Sequence, residues 1–367
     1  MVEWKKIGEV ISVHTGGQLN RNDMIEDGQY PVVNGGRDYS GYTNSYNEKA
    51  NSITISQGGE SAGYVNWIIT NFWAGAHCYV VEENDSINKR YLYHTLKNKE
   101  RDLQQSKQGA GIPGLNRNTL YKLIIPIPSL SEQQRIVGIL DTFTASIDNL
   151  KEQIAQRRKQ YEYYRDQLLN LEGKPDKDIH SWGEFCEMEK GNGVQKVDFV
   201  DEGLGCIHYG QIYTHYGSYT YETNKFVSKE VFEKARKASK GDIIMTDTSE
   251  NVEDICKSVA WLGDNAIAVS NHALIIKHKQ NPKFLSYSTQ TNSFFIQKRK
   301  VVIGVKVSGI KPDDLAEIKI YLPAIEEQNR IVSILDTFEA SIQNLEAQLS
   351  QREKQYEYYR NKLLTFE

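Results

Sequence analysis

The 367-residue chain is poor in cysteine, with four (Cys78, Cys186, Cys206, Cys256) that lie far apart and form no CxxC pair. That spacing offers neither a zinc site nor a disulfide framework, and buried free thiols are the expected state. Proline is scarce too: none occurs in residues 129–172 or 324–367. No run approaches the ~20 apolar residues of a membrane helix. Met1-Val2-Glu3-Trp4-Lys5-Lys6 is not followed by the apolar core of a secretory signal. A cytoplasmic protein is expected. Charge of one sign is also lacking, with 44 Lys and Arg against 48 Asp and Glu. Residues 1–128 carry 13 basic and 13 acidic side chains, and residues 177–323 carry 19 and 19. The net charge of −4 therefore sits in the two remaining segments, 129–176 and 324–367. Any polyanion would have to be held by local clusters rather than by bulk charge.

Enzyme signatures are missing as well. There is no Walker A and no HExxH. Gly109-Ala110-Gly111-Ile112-Pro113-Gly114 fits GxGxxG only formally: no strand precedes it, no helix opens at its end, and Pro113 interrupts it. Asn281-Pro282-Lys283-Phe284 is near Asn-Pro-Pro-Phe, a methyltransferase signature, but Lys283 replaces the second proline and no glycine-rich cofactor loop accompanies it. In Pro312-Asp313 with Glu317-x-Lys319 the acids stand too close for a nuclease. The histidines, among them His77, His208, His215 and His272, are scattered and read as structural or surface residues.

What the chain does have is a repeat. Glu132–Glu172 and Glu327–Glu367 align without gaps at an offset of 195, identical at 28 of 41 positions. Each copy carries apolar or aromatic residues at alternating spacings of four and three, the mark of a coiled-coil seam. The first seam is Ile136, Leu140, Phe143, Ile147, Leu150, Ile154, Tyr161, Tyr164, Leu168 and Leu171. The second is Ile331, Leu335, Phe338, Ile342, Leu345, Leu349, Tyr356, Tyr359, Leu363 and Phe366. Arg157 and Arg352 are the polar seam positions. Ser131 and Gln134 predict a capping box for the first helix; Glu326 makes the second cap weaker.

Chain connectivity fixes the expected direction. Each helix is about 60 Å long, whereas the linker Gly173-Lys174-Pro175-Asp176-Lys177 reaches at most about 18 Å. A domain of this size spans only about 40 Å, so a parallel pair would strand the chain. An antiparallel pair needs no return, and places Met1 near Glu367. The two globular segments open alike, at Trp4-x-x-Ile7 and Trp182-x-x-Phe185, and close alike, at Gly114-Leu115 and Gly309-Ile310. Between these landmarks little sequence is shared. The expectation is a mixed α/β fold: globular α/β domains at 1–130 and 179–325, spacer helices at 131–172 and 326–367, and a linker at 173–178. The two helices form an antiparallel coiled coil with pseudo-two-fold symmetry.

This order of domain, helix, domain, helix resembles the specificity subunit of a type I restriction–modification system. The residues that carry the resemblance are the Pro128 and Pro323 lead-ins, the EQxRIVxILD starts at Glu132 and Glu327, and the QYEYYRxxLL ends at Gln160 and Gln355. The resemblance covers the whole chain. It implies a non-catalytic subunit whose two target-recognition domains each read half of a split sequence in double-stranded DNA, with the helices as the ruler. It implies two modification (M) subunits and restriction (R) subunits as partners, which carry S-adenosylmethionine, ATP and Mg; no cofactor and no metal is expected in this chain. The alternatives are a coiled-coil protein-interaction scaffold and a stand-alone DNA methyltransferase.

Candidate DNA contacts follow from residue chemistry: Asn and Gln pair with adenine, Arg with guanine, and Lys with phosphate. In the first domain they are Asn34, Arg37, Tyr39, Gln57, Ser61, Lys107, Gln108 and Arg117, on or beside glycine-rich loops. In the second they are Tyr209, Gln211, Tyr213 and His215 in a polar aromatic strip, then Thr246, Thr248, Ser249 and Asn251 after the buried-looking run Ile243-Ile244-Met245. The basic cluster Gln297, Lys298, Arg299 and Lys300, with Lys306, is the leading phosphate candidate. Arg135, Tyr163 and Arg165 are placed on outer helix faces as partner contacts.

Overall fold

The computed structural model describes all residues except 1, 83, 85, 108–112, 303–307 and 367. The expected proximity of Met1 and Glu367, and the candidates Gln108 and Lys306, therefore lie outside the described residues. The chain forms two compact units, Met1–Glu152 with Glu346–Glu367, and Gln153–Leu345. Among the described residues no helix is long and apolar enough to cross a membrane. The four cysteines are free, and burial pushes their thiols up to about 12.

In the first unit, one sheet runs in the order Val13–Thr15, Cys78–Val81, Ser52–Ser56, Val65–Ile68. Ser52-Ile53-Thr54-Ile55-Ser56 is buried along its whole length, as a β-branched run covered on both faces should be. A smaller sheet joins Gly41–Thr43, Tyr30–Val33 and Trp73–Ala74, the last pair being parallel. Glu3–Lys6 pairs with Ile124–Ile127 and brings the ends of the domain together.

The second unit repeats this plan with added edge strands. Its main sheet runs Cys186–Lys190, Ala273–His278, Ile243–Thr246, Ser258–Trp261, with Tyr219–Thr220 added at the edge. Lys225–Val227, Leu204–Ile207 and Ile267–Val269 rebuild the small sheet, again with one parallel pair. Ile179–Ser181 pairs with Lys319–Tyr321. Ile243 and Met245 face one core and Ile244 the other, the alternation that a strand imposes. The middles of the two domains, nearly without shared sequence, thus share one topology.

The long helices span Leu130–Leu169 and Ile325–Leu364. In the first unit Ile136 and Leu364 enter one core, Phe143 stacks on Tyr359 with centroids 5.2 Å apart, and Lys151 lies 3.8 Å from Glu353. Numbers rise on one helix as they fall on the other, so the packing there is antiparallel. In the second unit Leu169 and Ile331 share a core and Tyr164 stacks on Phe338 at 5.4 Å, which gives the same sense. The polar seam residues take matched seats: Arg157 lies over Phe338 at 5.9 Å and Arg352 over Phe143 at 5.7 Å.

Two expectations are corrected. Near the C-terminal ends the deepest burial moves one residue on, to Leu169 (2% exposed) and Leu364 (4%), from the seam positions Leu168 and Leu363. A straight helix drifts from a heptad by ~20° each repeat, and these ends pack into globular cores. The first helix is also capped earlier than the Ser131 box: Glu132 N donates to Ser129 Oγ at 3.4 Å, while Gln134 accepts from Asn88 Nδ2.

The anchoring of each helix rests on a buried glutamine. Gln133 Nε2 donates to Pro128 O at 2.9 Å, and its Oε1 accepts from Asn88 N at 2.8 Å. Gln328 repeats this with Pro323 O at 2.8 Å and Asn281 N at 3.0 Å. Asn88 and Asn281 in turn cap the helices Lys89–Asn98 and Pro282–Ser288. The near-signature Asn-Pro-Lys-Phe is this cap, with proline in the first turn where its missing N–H costs nothing. Just over two turns further along the long helix, Asp141 accepts from Arg90 Nε and His94 Nε2, both at 2.7 Å. Asp336 accepts from Lys283 Nζ at 2.8 Å and Tyr287 OH at 2.7 Å. Burial disfavours the Asp141 carboxylate, but the hydrogen bonds from His94 and Arg90 outweigh it and hold the group below its usual range.

Replacing Gln328 by Leu strands a buried carbonyl and a buried N–H at once. It should cost about 2–4 kcal/mol in denaturant unfolding. A second expectation concerns His278, whose Nε2 is buried without a hydrogen-bond partner among the described residues. Burial pushes this imidazole down to about 4 from an ordinary 6.5. The unfolded chain takes up the proton first, so stability is intact above pH 6.5 and falls on acidification toward pH 4. Across that window the native chain should lose up to roughly 3 kcal/mol more than His278→Asn.

Candidate nucleic-acid interface

At one end of each main sheet the same backbone brace recurs. In the first domain Gln57 N donates to His77 O at 2.9 Å and Leu115 N donates to Gln57 O at 2.7 Å. In the second, Asp247 N donates to His272 O at 3.2 Å and Ile310 N donates to Asp247 O at 3.0 Å. Gly58 bridges Gly114, just as Thr248–Ser249 pairs with Ser308–Gly309. The brace fixes where the loop after the central strand leaves the sheet, and what that loop presents differs between the domains.

In the first domain the structure gathers Asn34, Gln57 and Lys107 around this brace. Asn34 Oδ1 accepts from His77 N at 3.1 Å, Ser56 Oγ reaches Gly36 O at 3.4 Å, and Lys107 Nζ donates to Glu60 O at 2.6 Å. Ser61 closes the turn, its carbonyl accepting from Tyr64 N. Arg37 is exposed and lies 5.7 Å from the Tyr64 ring. Arg117 lies over Tyr79, whose hydroxyl donates to Leu115 O. Tyr39 is 45% exposed but lines a groove with Trp67, Arg90 and Tyr93. Of the formal GxGxxG, Pro113 and Gly114 serve the brace, and residues 109–112 are outside the described residues.

In the second domain the expected polar strip is the short helix Tyr209–Thr214. Tyr209 packs against His272 at 5.3 Å, and Tyr213 OH donates to Thr248 O. Thr248 Oγ1 donates to Asp247 Oδ1 at 2.8 Å. Ser249 Oγ accepts from Asn251 N, and Asn251 caps Asp254. His215 is exposed beside Tyr216. Lys190 pairs with Asp247 at 2.8 Å, Lys257 donates to Tyr213 O, and Lys196 lines a concavity with His208, Tyr209 and His272.

Several candidates are turned away from any ligand. Thr246 is fully buried, its hydroxyl spent on the Asp254 and Lys257 carbonyls. Gln211, 9% exposed, holds His208 N and Asn224. Lys298, 3% exposed, donates to the Glu253 and Ile255 carbonyls, so it is a loop clamp and not a phosphate ligand. Burial also drives its ammonium below the usual lysine range. Gln297 bonds both Lys319 N and O, which leaves Arg299 and Lys300 as the exposed members of that cluster. On the helices, Arg135 (54% exposed) pairs with Glu132 and Tyr163 is 60% exposed. Arg165 is only 14% exposed and lies against Asp166 and Tyr161, off the outer face assigned to it.

The residues missed from sequence were His77, His272, Lys190, Lys196 and Lys257. A signal existed for two: His77-Cys78-Tyr79-Val80-Val81 and His272-Ala273-Leu274-Ile275-Ile276 stand at the helices' own offset of 195. Among the described residues no His, Cys, Asp and Glu group is arranged to hold a metal. The clusters offer donors, acceptors and cations on fixed backbone, an arrangement for binding.

The model of the type I restriction modification DNA specificity domain matches residues 1–157 and 181–353. A putative type I restriction enzyme specificity subunit from Haemophilus influenzae is 28% identical over 100% of this chain and 96% of its own length. The EcoR124I/EcoR124II specificity subunit of Escherichia coli is 26% identical over 100% and 94%. Among solved structures, the type I restriction–modification S subunit from M. genitalium superposes with a TM-score of 0.63 at 18% identity, over 100% of this chain and 97% of that one. A chain from a structure on complex assembly and conformational transition of the type I R-M system gives 0.57 at 16%, over 99% and 97%. With both domains and most of both helices matched, the chain belongs to the type I restriction–modification DNA specificity family.

Proposed function

We propose that this chain is the DNA-reading subunit of a type I restriction–modification complex, without chemistry of its own. Each domain reads one half of an asymmetric, bipartite target, and the two long helices set the unread spacer as one antiparallel, pseudo-two-fold coiled coil. Partner M subunits would supply S-adenosylmethionine-dependent methylation, and R subunits ATP- and Mg-dependent cleavage. Exposed Tyr163 and Arg135, with their repeats Tyr358 and Arg330, would face those partners. The observation that carries this reading is one loop brace built twice on one topology and filled with different side chains. That is what two readers of unlike sequences on a common frame require. Phosphate contacts would position each domain and base contacts specify.

Removing one heptad from each helix, Leu150–Gln156 and Leu345–Gln351, takes out about 10 Å. The preferred spacer in a binding-site selection should shorten by about three base pairs. An unchanged spacer would remove the ruler. Binding to duplex DNA with M subunits present should fall steeply with salt, as phosphate neutralisation demands; a protein-interaction scaffold would give a flat response. The purified chain alone should transfer no methyl group from S-adenosylmethionine to DNA.

A further inference from the structure

We propose that His77 and His272 are matched base-contacting residues, one in each reading head, a step that rests on the DNA-reading function above. Each stands immediately before the same strand of its sheet, Cys78–Val81 or Ala273–His278. Each has its carbonyl held by the first residue of the variable loop, Gln57 or Asp247. The backbone under both rings is therefore fixed, so the direction in which each imidazole leaves the domain is set before any ligand arrives.

Both side chains point outward. His77 is exposed, and the His272 side chain is 51% exposed. The contrast is with His94 (0% exposed) and His208 (5%), which serve the interior. His272 also has φ of 65°, a left-handed backbone that is uncommon outside glycine and concentrates at functional sites. The core gains nothing from an imidazole there. The ring is instead steadied from the side, by Thr248 Oγ1 at 3.4 Å from Nδ1 and by Tyr209 at 5.3 Å.

A neutral imidazole offers one donor and one acceptor. It can accept from an adenine or cytosine amine, or donate to a purine N7. The braces are alike, but the left-handed backbone belongs to His272 and not to His77, and the neighbours differ. Asn34 and Gln57 flank His77, whereas Asp247, Thr248 and Tyr209 flank His272. One backbone position thus serves two unlike half-sites, with the choice of base passed to the surroundings.

The test is a binding-site selection from randomised duplex DNA, using the full chain assembled with its modification subunits. His77→Ala should lower the preference at one base pair of one half-site roughly tenfold, leaving the other half-site and the spacer as they were. His272→Gly should do the same in the opposite half-site. Glycine accepts the left-handed backbone without strain, so loss of folding does not obscure that result. If the native chain selects a bipartite target and both variants select it with equal sharpness, the assignment is wrong. Even weakening across both half-sites would also overturn it, since that is what a phosphate contact or a loosened domain produces. A native chain that selects no bipartite target would overturn the DNA-reading function itself, and this assignment with it.

Discussion

Two buried amides hold the architecture to its geometry. A 40-residue helix with a narrow apolar seam can pivot about whatever it touches. Gln133 and Gln328 remove that freedom, because each joins a proline carbonyl before the helix to the capped end of a domain helix. With the side chain 1% and 0% exposed, no water replaces a lost partner, so only the entry angle that satisfies all the partners is stable. Asp141 and Asp336, just over two turns on, add a charged tie to the same domain helix. The helix direction is in this way a property of its domain.

The far end of each unit's helix pair closes the arrangement. Tyr356 OH meets His94 Nδ1 at 3.0 Å in the first unit, and Tyr161 packs against Tyr287 in the second. Each globular core therefore contains the start of one long helix and the end of the other. Such a base is stiff where the loops begin, and a site built on stiff elements can vary its side chains without moving its backbone. The second domain uses that freedom for added edge strands on both sheets and two further short helices, the first for short glycine-rich turns.

Much of this was legible in the chain. The repeat gave the helices, most of their seam and the opposite sense in which they pack within each unit, because heptad spacing and linker reach are local quantities. The buried run Ile243-Ile244-Met245 was legible for the same reason, and all three residues are fully buried. The junction was not seen, although Asn88-Lys89-Arg90-Tyr91-Leu92 and Asn281-Pro282-Lys283-Phe284-Leu285 share Asn, a cation, an aromatic residue and Leu. Their offset is 193, two residues out of step with the helices, and a short pattern out of register reads as noise.

The candidate contacts divide along the same line. Composition marked turns, since Asn, Gly and Ser are where chains turn, but Tyr209–Thr214 and Gln297–Lys300 lie on helices. It could not tell Lys298 from Arg299 beside it, because side chains on a helix point about 100° apart at each step and only the packed neighbours decide which one is buried. The sequence by itself determined two modules, two matched helices and the opposite sense in which these pack within each unit, since each follows from periodicity and chain length. The tertiary structure alone decided that the two modules share one topology, that Thr246, Gln211 and Lys298 face inward, and that His77 and His272 occupy one seat. Those facts depend on which distant backbone groups meet, and spacing along a chain does not encode that.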